Sequence, residues 1–302
     1  MVEKPMTQTA NRTSAANIVI HLVFVAIFLA MLLPFLLVIA ISVTQEQSLI
    51  RDGYKLIPAA FSLDAYAYIF RSPLLLVRAY GVTIETTILG TIGSLFLTSL
   101  TAYVVSRKDY RYVRGTTFYV FFTMLFNGGL VPSYILMTQY LHLKDTIWAL
   151  ILPGMLTPFY ILIMKGFIGE IPRELIESAK VDGAREWRIF FGIVLPLSKP
   201  ALATLGLFIA FNYWNSWFPA LLYINNERLV PIQLLLTRMM NTINFLSTNS
   251  QFMSGISIDT SKFPNLSARM AMTVLAAGPM MFVFPFFQKY FVRGLTVGSL
   301  KG

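Results

Sequence analysis

No cysteine occurs in the 302 residues. Disulfides, thiolate nucleophiles and cysteine-ligated zinc or iron–sulfur centres are thereby excluded. Histidine is almost as scarce. His21 and His142 are the two present, neither stands at ligand spacing from a carboxylate or from the other, and no metal is assigned. Charged residues make up 13% of the chain, where soluble domains carry about 25%. The patterns G-x-x-x-x-G-K-[ST], H-E-x-x-H and G-x-S-x-G are missing, as is any pair of intramembrane carboxylates. Their absence removes a nucleotide cradle and leaves a membrane-embedded enzyme without its catalytic groups. What is abundant is apolar: 56% of the residues are hydrophobic and the mean hydropathy is +0.66. This composition describes a membrane protein.

A bilayer core about 30 Å thick is crossed by roughly 20 apolar residues. Six stretches qualify: 17–43, 79–105, 115–138, 146–164, 200–226 and 270–288. The uncharged run that opens the first is too long for a signal-peptide core and lacks a small-x-small cleavage site, so it reads as a retained helix. The expected fold class is an all-α integral membrane protein with six transmembrane helices. The net charge of +10 would suggest nucleic acid in a soluble chain, but here the basic residues lie between spans, where they set orientation, and no nucleic acid is expected. With the N-terminus inside, the cytoplasmic segments hold 15 Lys and Arg and the external ones 9. The short basic loop Arg107-Lys108-Asp109-Tyr110-Arg111-Tyr112-Val113-Arg114 weighs most, because short loops obey the positive-inside rule best. Both termini are expected to be cytoplasmic. The expected organisation is a cytoplasmic tail over 1–16, a first span with its external loop over 17–76, a core over 77–292 and a cytoplasmic tail over 293–302.

Two connections exceed simple turns: the polar external loop 227–269, which on composition alone could be a spacer, and the cytoplasmic connection 165–199, which carries the loop 169–200. In the latter, Ile168, Ile171, Leu175, Ile176 and Ala179 share one helical face. Pro172 fits a first turn and Asp182-Gly183 supplies a stop. A second helix follows, with Trp187, Phe190, Phe191 and Val194 on one stripe, closed by Leu195-Pro196. Such a helix-turn-helix at the inner surface is also what a headgroup anchor would show.

The residues decide between these readings through a resemblance. Glu177-Ser178-Ala179, Gly183, Ile193 and Leu195-Pro196 stand at the spacing of the EAA loop of ABC importer permeases, with Ser178 the one departure. The resemblance extends to SRKDYRYVRG, to Thr123 through Met137, to Leu207 through Ile224 and to the C-terminal FPFFQKYFVRGLTVGSLKG. Together these resemble the maltose-type carbohydrate permeases, in the branch that takes up complex oligosaccharides and polysaccharide fragments. The resemblance implies a type I importer permease fold in the bacterial cell membrane. It implies as partners a second permease, with the family pattern favouring a different chain, two cytoplasmic ATPase subunits and an external substrate-binding lipoprotein. No cofactor would be bound by this chain, with ATP and magnesium on the ATPase. It assigns Glu177, Ala179, Asp182, Gly183, Ile193, Leu195 and Pro196 to the ATPase-coupling hairpin. It further implies that loop 227–269 engages the binding protein, and that the tail after Arg293, interrupted by Gly294, Gly298 and Gly302, reaches between the ATPases.

Polar and aromatic residues inside spans point to a substrate path. Phe126-Asn127-Gly128-Gly129 with Pro132 breaks the third span, and Tyr134 follows in the same stretch. Asn212, Tyr213, Trp214 and Asn215, followed by Ser216-Trp217, combine amides for sugar hydroxyls with flat rings for sugar faces. Packing against the partner permease and an aromatic belt would use the same residues. The rival reading is a stand-alone secondary transporter or channel built on Glu85, the one acid within a span.

Overall fold

The computed structural model describes residues 15–248 and 265–299, with side chains left undescribed at residues 15–16, 246–248, 284 and 287–299. The described part is helical, without a strand; one isolated bridge joins Thr44 to Phe61. It forms two compact units, residues 15–69 with 265–274 and residues 70–248 with 275–299.

In the first unit, α1 (Ala15–Ser42) is apolar on all sides and exposes most of its side chains from Ile18 to Ile39, as a helix surrounded by lipid does, before Ala40, Ile41 and Ser42 become buried. Two short helices follow, α2 (Glu46–Asp52) and α3 (Asp64–Ile69). The Glu46 carboxylate accepts bonds from the Leu266 and Ser267 backbone N–H groups at 2.8 and 3.0 Å and from the Ser267 hydroxyl at 2.8 Å. These are orphan donors at the start of the last helix, capped by a distant carboxylate.

The second unit is organised around α4 (Pro73–Ser106). Proline at its first position costs no hydrogen bond and starts the helix. Its packed face is small and polar: Thr83, Thr86, Thr87, Gly90, Ser94, Thr98, Ser99 and Ala102 are buried, the kind of surface that lets membrane helices approach closely. The third expected span is α5 (Val113–Leu125) and α6 (Leu130–Tyr140), bent by 109° at the residues foreseen as a break. Gly129 adopts φ +89° there, and the Asn127 side chain accepts from its N–H at 2.9 Å. The last turn of α6 widens to a π-helix. The fourth span is likewise two helices, α7 (Trp148–Gly154) and α8 (Pro158–Gly169), at 55°. Next come α9 (Arg173–Val181), α10 (Glu186–Leu197) and α11 (Lys199–Trp214), the last two at 80°. α11 and α8 pack on α4 around a core that includes Met164, Ile189, Phe190, Val194, Leu205 and Ile209. α12 (Phe218–Tyr223), α13 (Ile232–Thr248) and α14 (Leu266–Ser299) complete the order; α14 contributes residues to both units. Among the described residues, three helices are long and apolar enough to cross a membrane alone, and the count reaches six when each bent pair is one span.

Three expectations are corrected. The fifth span does not run from 200 to 226 as one helix: α11 ends at Trp214, because Pro219 would clash with the carbonyl four residues back and offers no N–H to it. The first part of the external loop 227–269 is not a spacer. Its α13 buries Ile232, Leu234, Leu235, Leu236 and Ile243, and the Ile232 N–H donates to the Thr83 hydroxyl at 2.8 Å; residues 249–264 lie outside the described part. Gly294 and Gly298 do not interrupt the last helix, which runs through both to Ser299; glycine inside a long helix costs about 1 kcal/mol and is tolerated. Gly302 and the tail 1–14 lie outside the described residues.

Candidate functional site: the hairpin and the polar cavity

The hairpin α9–α10 is shaped by its turn. Gly183 has φ +76°. Its N–H donates to the Lys180 carbonyl at 3.0 Å, and the Ala184 N–H donates to the Ala179 carbonyl at 2.9 Å. This is the Schellman closure, whose left-handed position suits glycine. The turn reverses the chain while Ile176, Ala179 and Ala184 stay against the core. On the outside, Val181 is 88% exposed, next to exposed Glu177 and Asp182. Glu177 makes no ion pair among the described residues.

The second arm anchors the hairpin. Phe190 is buried, with its ring 5.5 Å from that of Tyr103 on α4. Trp187 stacks on Phe191 at 5.9 Å, and Phe191 on Phe96 of α4 at 6.4 Å. Within the π-helical segment over Phe190–Val194, Phe190 and Val194 are buried. Leu195 packs against the same core and Ile193 is half-buried, whereas Pro196 is exposed.

An ionic knot at the base of the hairpin was not foreseen. Arg107 and Asp109, from the loop after α4, meet Lys180 of α9 and Glu186 of α10. Arg107 pairs with Asp109 at 2.5 Å and with Glu186 at 3.4 Å; Lys180 pairs with Asp109 at 2.9 Å and with Glu186 at 3.2 Å. The Tyr103 hydroxyl donates to Glu186. The bonds from Arg107 and Lys180 hold the Asp109 carboxyl well below the usual carboxylate range. Burial pushes Glu186 up, but the bonds from Tyr103 and Lys180 outweigh it and leave this carboxyl lowered. Lys180 is raised by Asp109 and then Glu186. The signal in the sequence was one acid, Asp109, inside an otherwise basic loop. A groove of 360 Å³ opens beside the knot, lined by Tyr103, Arg107, Asp109, Trp187 and Phe190 among others.

The substrate-path candidates separate. Tyr213 is buried, donates to the Ile151 carbonyl at 2.8 Å and presses its ring against Gly90. Trp214 is buried and donates to the Ala276 carbonyl at 2.8 Å. Asn215 bonds the Phe211 carbonyl at 3.0 Å and accepts from Gln233 at 3.3 Å. Asn127 caps the break, and Tyr134 stacks on Tyr223 at 5.9 Å. Asn212 alone combines exposure with a place on a cavity. Its amide donates to the Tyr160 hydroxyl at 2.6 Å, and both line a 310 Å³ cavity with Thr157, Tyr213 and Ser216. Tyr160 and Thr157 were missed; the Thr157-Pro158 helix start was the readable signal. Glu85 lies on the exposed side of α4. At 1.5 Å per residue it is about 32 Å along α4 from Ser106, about the thickness of a bilayer core. It has no ionisable partner among the described residues, so nothing favours the secondary-transporter reading.

The family model for the binding-protein-dependent transport system inner membrane component matches residues 9–297. The chain belongs to this family. As an inner membrane component it is a transporter permease subunit, and it shares 42% identity with the protein LplC of Bacillus subtilis over 90% of each chain. It is also 42% identical to the polygalacturonan/rhamnogalacturonan transport system permease protein YtcP of the same organism, over 89% of this chain and 92% of that one. Among solved structures, it superposes with a TM-score of 0.76 and 27% identity on a chain of a bacterial ABC transporter involved in import of the acidic polysaccharide alginate, covering 94% of this chain and 100% of that chain. The fold of this permease is accordingly the ABC importer permease fold.

Proposed function

We propose that this permease carries oligosaccharides or polysaccharide fragments into the cell by alternating access, coupled through the α9–α10 hairpin to ATPase subunits that hydrolyse ATP on their own magnesium sites. In this reading it pairs with a second permease chain, receives cargo from an external binding lipoprotein, binds no cofactor itself and keeps both termini in the cytoplasm. The names of its relatives support a saccharide cargo. The observation that carries the coupling role is the tip of the hairpin. An apolar residue 88% exposed, projecting from a rigid turn and flanked by acids, is built to enter a cleft of a partner. Glu177 is free to meet a basic group there, and Asp182, Gly183, Ile193, Leu195 and Pro196 set the shape and the anchorage. For the path, Asn212 and Tyr160 offer an amide and a ring at one cavity, which Tyr213 also lines.

The test is purification of the tagged chain in mild detergent, followed by ATPase assay of the eluate with its binding protein and a panel of plant and algal oligosaccharides. Recovery of an ATPase and a second permease, with hydrolysis stimulated by one sugar, is expected. Val181→Asp, which alters an exposed side chain, should insert normally yet lose the ATPase; Gly183→Pro, which also removes the N–H donor of the turn, should abolish sugar-stimulated hydrolysis. A lone chain under conditions that preserve complexes, or wild-type coupling in both variants, overturns the reading.

A further inference from the structure

A second membrane-level groove, between the start of α5 and the end of α8, takes no part in the readings above. Its volume is 490 Å³; Phe118, Phe121 and Leu162 form an apolar wall, and Arg114 and Lys165 stand on it with Thr117. No carboxylate lines it. Neither cation forms an ion pair among the described residues. Lys165 is half-buried, and its ammonium donates to the Thr117 hydroxyl at 3.0 Å, which holds the charge at the groove. Arg114 occupies the first turn of α5, the positive end of the helix, where a cation is disfavoured unless an anion joins it. α5 follows the basic loop that begins at Arg107, and α8 leads into the hairpin, so the two cations sit at the hairpin end of the membrane helices with the apolar wall beginning beside them.

We infer that this groove binds one anionic phospholipid, with its phosphate on Arg114 and Lys165 and an acyl chain along Phe118, Phe121 and Leu162. Basic pockets between membrane helices favour anionic headgroups, and the apolar wall supplies what a free phosphate would not use. A neutral saccharide matches neither half of the groove. The inference is independent of which sugar moves and of how the hairpin couples.

The experiment is native mass spectrometry of the delipidated full-length protein in its purified complex, titrated with palmitoyl-oleoyl phosphatidylglycerol and, separately, with phosphatidylcholine of the same chains. Wild type is expected to prefer phosphatidylglycerol. Arg114→Gln and Lys165→Gln should each weaken it about fivefold, at about 1 kcal/mol per basic residue, and leave phosphatidylcholine unchanged. Lys165→Arg, which keeps the charge, should retain the preference. Arg188→Gln, which removes the same single charge elsewhere, should change binding less than twofold. Equal losses in that control, no preference in wild type, displacement of the lipid by millimolar glycerol 3-phosphate, or cross-linking of Phe118→Cys to the second permease would each overturn the inference.

Discussion

Asn212, Tyr213, Trp214 and Asn215 show what a residue-by-residue reading of the sequence can and cannot reach. Their chemistry was legible and their separate destinations were not: successive residues of a helix are turned by about 100°, so four in a row cannot all face one cavity, and only Asn212 and Tyr213 line it. The helix sends Tyr213 and Trp214 inward, where each hydroxyl or indole N–H finds a backbone carbonyl, and leaves Asn212 on the cavity with Tyr160. The roles should therefore divide on mutation. A Cβ on Gly90 would lie 2.5 Å from the Tyr213 ring, so Gly90→Ala overpacks a buried contact and should cost about 1–3 kcal/mol; Tyr213→Phe gives up one buried hydrogen bond, about 1 kcal/mol. Asn212→Ala should leave thermal unfolding in detergent unchanged and reduce transport. Loss of transport in Tyr213→Phe without loss of stability, or loss of stability in Asn212→Ala, would reverse the assignment.

The hairpin shows the same division at the scale of an element. Its turn was readable because a Schellman closure is local: Asp182-Gly183 after an amphipathic stretch suffices. The knot that holds its base was not readable, since Asp109 and Lys180 are 71 positions apart in sequence and nothing local reports their meeting. The π-helical widening at Phe190–Val194 also escapes a 3.6-residue pattern, which it satisfies by eye while turning Phe190 and Val194 into the core. Because the knot is largely exposed, each of its pairs is worth about 1 kcal/mol or less and its effect is on position more than on stability. Asp109 is depressed, so its contribution is present above the ordinary aspartate range near 3.9 and is lost only as pH falls below it. Lys180 is raised, so its contribution is present below the ordinary lysine value near 10.4 and is lost only as pH rises beyond it. Sugar-stimulated hydrolysis should therefore owe no pH dependence to the knot between about pH 5 and 9. Asp109→Asn should weaken stimulation several-fold across that range while leaving membrane insertion intact; a pH-dependent defect, or none, would show that the knot does not position the hairpin.

For the whole molecule, hydropathy located six crossing regions but not their bends. The Gly128-Gly129 break was visible because glycine marks it; the 55° and 80° bends at residues 155–157 and at Ser198 stand between prolines, Pro153 and Pro158 in one case and Pro196 and Pro200 in the other, which mark a break without giving its angle. The packed helix α13 was hidden by the polar residues around it, since average polarity does not reveal that Ile232, Leu234, Leu235, Leu236 and Ile243 are each buried. Orientation remains a separate matter from fold, because the same bundle inserted upside down has the same contacts; it follows from the basic loops alone. The absence of cysteine makes that directly measurable. Val181→Cys at the hairpin tip and Glu227→Cys beyond α12 are single exposed thiols on an otherwise thiol-free chain. With a membrane-impermeant maleimide on intact cells, the Glu227 position should label at once and the Val181 position only after permeabilisation. The opposite pattern would place the hairpin outside, where no ATP-driven partner could reach it, and would remove the coupling role along with the topology.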